Sequence, residues 1–165
     1  MGDPKMMNDQ KNVKITVSQK MQKIGRMGIA YAKERVNDQE LSTVQYKVCI
    51  TIYNNPGLSQ DAVARDLGMD KSSVAKLISK LMDEEIVRRD VNPRDRREYQ
   101  LYLTEKGTAM TEEFLHYMFE WETSLCRNGG IDHALMHQQL EVLIKEAEAL
   151  TECKKGRIFA EKILK

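Results

Sequence analysis

Between Leu58 and Leu81 two short amphipathic patterns stand on either side of a glycine, and no other stretch limits the possible folds as much. Ser59 can accept a hydrogen bond from an early free N–H of a first helix, Asp61 complements that helix's dipole, and Val63 with Leu67 gives it one apolar side. Gly68 supplies a positive-φ end. Asp70 can then cap a second helix whose Val74, Leu77, Ile78 and Leu81 face inward, leaving Ser72, Ala75, Lys76, Ser79 and Lys80 nearer the outer side. Short hydroxyls and long cations are the side chains that reach phosphate oxygens and base edges in a major groove. An ordinary helical hairpin with a polar exterior has the same spacing, so the choice between the two rests on residues 86–103.

Ile86-Val87 and Tyr99-Gln100-Leu101-Tyr102-Leu103 are short β-rich runs, joined by Arg88 to Glu98 with Asn92-Pro93 in the middle. That pattern predicts a two-stranded wing. The formal net charge of the 165 residues is only +1, yet Arg88, Arg89, Arg94, Arg96 and Arg97 fall within ten positions, opposed by Asp90 and Asp95 alone. For a nucleic-acid partner the distribution of charge matters more than its total. A helix, a helix-turn-helix and a basic hairpin in this order describe a winged helix-turn-helix, and the fold class expected is mainly α with a small β-wing.

Long amphipathic pieces flank this unit. Apolar or small residues from Ile15 to Arg35 (Ile15, Val17, Met21, Ile24, Gly28, Tyr31) fit one face of a first helix, within which Gly25 and Gly28 imply a kink or a close approach of another backbone. A second helix spans about Leu41 to Tyr53 and ends at Asn54-Asn55-Pro56-Gly57. Thr104 caps a fifth carrying Met110, Phe114, Tyr117, Met118, Trp121 and Leu125, closed by Asn128-Gly129-Gly130. Asp132 opens a sixth with Leu135, Met136, Leu140, Leu143, Ala147 and Leu150, and Lys154 to Lys165 suit a short terminal helix. A wing domain of about 70 residues cannot cover all these apolar faces alone, so a homodimer is expected. The division expected is 1–36 as N-terminal arm and dimerisation helix, 37–104 as winged helix-turn-helix, and 105–165 as C-terminal dimerisation helices.

With both patterns in place, the chain resembles the MarR family of regulators, closely from about Leu41 to Gly107 and elsewhere in helix order. Leu58-Ser59-Gln60, Leu67-Gly68, Lys71-Ser72-Ser73-Val74 and Lys76-Leu77-Ile78 look like that family's helix-turn-helix, and Asn92-Pro93-Arg94-Asp95-Arg96-Arg97 with Leu103-Thr104-Glu105-Lys106-Gly107 looks like its wing and fifth-helix start. The resemblance implies a dimer joined through its terminal helices on a pseudo-palindromic operator in double-stranded DNA. It also implies displacement by a small-molecule effector or by oxidation, with repression as the commoner output. By position, Ser72, Ser73 and Lys76 match recognition-helix residues, Arg97 matches the arginine that enters the minor groove, and Asp95 matches the acid that holds it. Lys80, Arg94 and Arg96 complete the expected DNA-binding set. Ala75 stands where the family often has Thr, and Glu85 where it often has Gly, which implies a backbone strained by about 1 kcal/mol or shaped differently.

Other chemistries are weaker. There is no phosphate-binding glycine loop, GxSxG or HExxH, so no enzyme, catalytic residue or cofactor is expected. His133 and His137 stand four apart with Glu141 one turn further, a spacing that can align three metal ligands; a solvated polar face is the simpler account, and no metal is expected. Cys49, Cys126 and Cys153 are scattered without a CxxC pair, and Cys49 has no neighbouring cation cluster to activate it, although redox or metal response stays open as an alternative. A wing used only for protein interaction is another, opposed by the arginines at its tip. With 41% hydrophobic and 31% charged residues, no apolar run of spanning length and no secretory pattern before Lys14, the chain is expected to be cytoplasmic with no membrane partner.

Overall fold

A computed structural model describes residues 15–36, 41–93 and 98–163, with side chains described through residue 150. Its elements are α1 (Val17–Lys33), α2 (Thr43–Asn54), α3 (Gln60–Asp66), α4 (Lys71–Asp83), β1 (Val87–Val91), β2 (Tyr99–Leu103), α5 (Glu105–Gly129) and α6 (His133–Ile163). The chain divides into two compact units, Met1–Trp121 and Glu122–Lys165. No helix among the described residues is long and apolar enough to cross a membrane.

Helix starts follow short polar side chains. Thr16 and Ser42 each form a capping box with the glutamine three residues on, Ser59 accepts from the Ala62 N–H, and Asp70 from the Ser73 N–H. Ends are as regular: α3 closes with Met69 N–H donating to Ala64 and Gly68 N–H to Arg65, and α4 repeats the pattern from Ile86 to Leu81 and from Glu85 to Met82. Both are Schellman motifs, which require a left-handed residue after the cap. Gly68 fills that place with φ +61°, but at the second one stands Glu85 with φ +58°. The backbone expected to be strained or reshaped at Glu85 is therefore strained.

The core of the first unit gathers the inward faces of α2, α3 and α4 against β2 and α5. Val48, Ile52, Val63, Val74, Ile78, Leu81, Leu101 and Phe114 are buried, and the Tyr46 ring stacks on Phe114 at 4.2 Å. Each such aliphatic side chain stabilises the fold by about 1.5–3 kcal/mol relative to exposure. Gly28 in α1 does mark a close approach, but of a side chain and not of the backbone expected there: a Cβ would fall 2.7 Å from Cζ3 of Trp121, while Gly25 has nothing within 4 Å.

Two expectations on extent need correction. The first wing strand continues through Arg88-Arg89-Asp90 to Val91, pairing Val87 with Leu103 and Val91 with Tyr99, because only one side of the ribbon needs apolar residues. The backbone of α6 also runs unbroken to Ile163, so 154–163 is no separate helix; neither proline nor a turn cluster interrupts it. The wing gains a third partner that the sequence pattern does not suggest. Gly57 N–H donates to the Leu101 carbonyl and Leu101 N–H to that of Leu58, each at 2.9 Å, stitching the turn after α2 to β2.

Candidate nucleic-acid interface

The outer face of α4 follows from its inner one. With Val74, Ile78 and Leu81 fully buried, Ser72, Lys76, Ser79 and Lys80 are left exposed, Ser73 half-buried. Lys76 and Lys80 are one turn apart on the same stripe. Their circumstances differ, because Lys80 Nζ lies 3.5 Å from Glu84 Oε1 while no ion pair among the described residues involves Lys76. Glu84 is half-buried but Lys80 is exposed, and surface pairs are worth about 0–1 kcal/mol and are screened by salt, so Lys80 can exchange Glu84 for a phosphate.

At the N-terminal end of the helix the serines already have work. Ser72 Oγ donates to Asp70 Oδ1 at 2.6 Å and the Ser73 N–H donates to the same oxygen at 2.8 Å. These hydrogen bonds, led by that from Ser72, hold the Asp70 carboxyl well below its ordinary range, so the cap is ionised at any physiological pH. Ser72 thus reaches the outer face with its donor engaged and its oxygen still able to accept. Lys71 pairs with Asp61 of α3, neutralising an acid that would otherwise repel a polyanion.

The wing adds a second cationic surface beside α3. Arg89 on β1 donates to Gln60 Oε1 at 3.4 Å and lies 5.0 Å from the ring centre of Tyr99, while Arg88 on the other face of the ribbon packs 4.5 Å over Tyr102 and pairs with Asp90. Between α3 and the wing is a cleft of about 440 Å³ lined by Ser59, Gln60, Asp61, Arg89, Glu98, Tyr99 and Leu101. Arg89 belongs to the basic patch but not to the DNA contacts expected from sequence; its place on a strand beside α3 depends on the length of β1. Asn92 N–H donates to the Glu98 carbonyl at 2.9 Å and closes the base of the tip. Arg94, Asp95, Arg96 and Arg97 lie outside the described residues, so the set the structure brings together is Ser72, Ser73, Lys76 and Lys80.

Comparison with known proteins agrees with the winged-helix fold. Residues 41–99 match the family model described as MarR family. A protein of Thauera aromatica, named for transcriptional regulation of the hcr operon, is 42% identical over 62 residues, 38% of this chain and 37% of that one. The chain spans less than two thirds of the length of the curated relatives it matches. Among solved structures, a crystal structure of MarR aligns with TM-score 0.73 at 23% identity, covering 85% of this chain and 96% of the other. The PcaV transcriptional regulator of Streptomyces coelicolor, in complex with its natural ligand, aligns with TM-score 0.60 at 19% identity over 81% of this chain and 93% of that one. At these identities the structural likeness establishes the shared winged-helix fold.

Proposed function

From the match of residues 41–99 to the MarR family model, we propose that the protein is a transcriptional regulator that binds a pseudo-palindromic operator in double-stranded DNA as a homodimer and represses until a small-molecule effector releases it. The observation that carries the DNA-binding part is the exposed Ser72–Lys76–Lys80 stripe on α4, with Lys76 outside every ion pair among the described residues. A helix presented in this way suits the major groove, the serines and lysines reaching phosphates and base edges. Arg97, oriented by Asp95 and flanked by Arg94 and Arg96, is assigned to the adjacent minor groove, where narrow A·T-rich flanks concentrate negative potential. Effector release is supported by a neighbour of the same fold that is known with its natural ligand, and it requires the effector to bind the DNA-free form more tightly.

The test begins with DNA sequences selected from a random pool by the full-length protein, followed by affinity across a salt series. Lys76→Ala is expected to weaken binding to the selected site and, if the contact is a phosphate, to lower the salt slope by about one. Failure to enrich any sequence at moderate salt, or wild-type affinity and slope in the variant, would overturn this reading.

A further inference from the structure

The second unit brings together three side chains that its helices hold apart in sequence. Glu122 lies in the last turns of α5, and His133 and His137 open α6. Between them the chain reverses at Gly130, whose φ of +64° permits Ile131 N–H to donate back to Cys126 at 2.9 Å. Asp132 Oδ1 then accepts the Leu135 N–H at 2.8 Å and fixes the first turn of α6. As a result Glu122 Oε2 stands 3.9 Å from His133 Nε2 and 3.6 Å from His137 Nε2, with the imidazole centres 4.6 Å apart. Their ligand atoms all lie within 4.8 Å of one another. Glu141, the third ligand suggested by spacing along one helix, is not in the cluster; the carboxylate comes from the preceding helix instead.

From this juxtaposition we infer that Glu122, His133 and His137 form a binding site for a divalent transition-metal ion of the zinc type. Two imidazoles and one carboxylate are a ligand set that zinc accepts, and bonds of 2.0–2.2 Å at tetrahedral angles place ligand atoms about 3.3 Å apart. The 3.6 and 3.9 Å separations from Glu122 already approach that value, and the two imidazoles, whose ligand atoms lie within 4.8 Å, would close on the ion by side-chain rotation. A magnesium- or calcium-type ion would instead call for an oxygen cage. Glu122 and His133 are half-buried, which restricts their rotamers, whereas His137 is exposed enough for an ion to enter and for water to complete the coordination. The bound ion would clasp the end of α5 to the start of α6 and stabilise that reversal in proportion to its occupancy.

The site is tested on tag-free, metal-stripped full-length protein by titrating Zn²⁺ against a chromogenic chelator and Co²⁺ by visible absorption. The expected result is one ion per chain, with tetrahedral cobalt bands and no thiolate charge-transfer band. His137→Ala and Glu122→Gln should each weaken uptake by at least about tenfold, the lower bound for disturbing groups that merely support a ligand. His116→Ala should change nothing, and Zn²⁺ should raise the melting temperature of wild type but not of His137→Ala. All three altered side chains are at least partly exposed, so the variants keep their fold. No uptake at micromolar metal, equal uptake by His137→Ala, or a cobalt–thiolate band would overturn the assignment.

Discussion

Glu85 is the described non-glycine residue with positive φ, and its surroundings explain why it stays there. Its carbonyl accepts from Thr104 Oγ at 2.6 Å, Lys106 Nζ donates to the Glu84 carbonyl at 3.0 Å, and the Schellman bonds close the loop from the other side. An L-residue in this region costs about 1–2 kcal/mol. Glycine would remove that cost but widen the freedom of the unfolded chain, so Glu85→Gly should stabilise the fold by a net ~0.5–1 kcal/mol. Urea unfolding at fixed protein concentration should show a higher midpoint with an unchanged slope; an equal or lower midpoint would mean that the strain is relieved elsewhere. Cys49 teaches a different lesson about single residues. Burial, and then the negative charge of Glu84, push its thiol up to about 12 against an opposing hydrogen bond with Thr111, so it is protonated and poorly nucleophilic at neutral pH. Cys126 is buried as well, and neither thiol is placed as an oxidation sensor should be.

Helix ends are the clearest design at the scale of elements, since α3, α4 and α5 all close in the same motif before the chain turns into its next element. The start of α5 is just as constrained. Thr104 accepts the Gly107 N–H at 3.0 Å while its own N–H donates to Ile86, and a Cβ on Gly107 would stand 2.1 Å from the Ile86 carbonyl oxygen. Gly107→Ala gains up to about 1 kcal/mol of helix propensity, yet the clash is with backbone and must displace the helix from the wing. The expected net effect is a destabilisation of about 1–3 kcal/mol, typical of overpacking. Thermal unfolding that showed the variant at or above wild type would contradict this docking. Such ends also show what the sequence makes legible. Caps at Ser59, Asp70, Thr104 and Asp132 act over three residues, so their letters suffice, as do the inward positions of α4. The reach of β1 is hidden because Arg88, Arg89 and Asp90 carry no apolar alternation, and the stitching of Leu58 to Leu101 joins residues far apart in sequence. Glu122 cannot be linked to the two histidines without the turn at Gly130. Arginines at the wing tip are legible as charge, and their geometry lies outside the described residues.

For the whole molecule, the decisive quantity is apolar surface that the described chain leaves in water. On α1, Val17, Ile24 and Met27 are each more than half exposed, and on α6 the same holds for Leu135, Val142, Leu143, Ile144 and Leu150, the last at 67%. Scattered exposed apolar residues are ordinary, but runs of them on two long helices are surfaces of the kind that partners cover in other proteins. On the proposed reading that partner is a second copy, and a twofold dimer presents two recognition helices with one fixed separation. Specific affinity then depends on DNA phase, because equivalent half-sites must recur about one helical turn, roughly 34–36 Å, apart. Inserting about half a turn of DNA between half-sites rotates the second site to the far side of the duplex while leaving every base of each half-site intact. Fluorescence anisotropy should show specific binding lost for that insertion and recovered substantially when a full turn is inserted only if the dimer can stretch, so the half-turn result is the discriminating one. Monomers binding independently would be indifferent to phase, and retained affinity on the half-turn site, or a folded monomer in light scattering at micromolar concentration, would rule out the dimer. A dimer that stays intact in solution yet ignores phase would locate the error in the assignment of α4 to the major groove, leaving the pairing of the terminal helices standing.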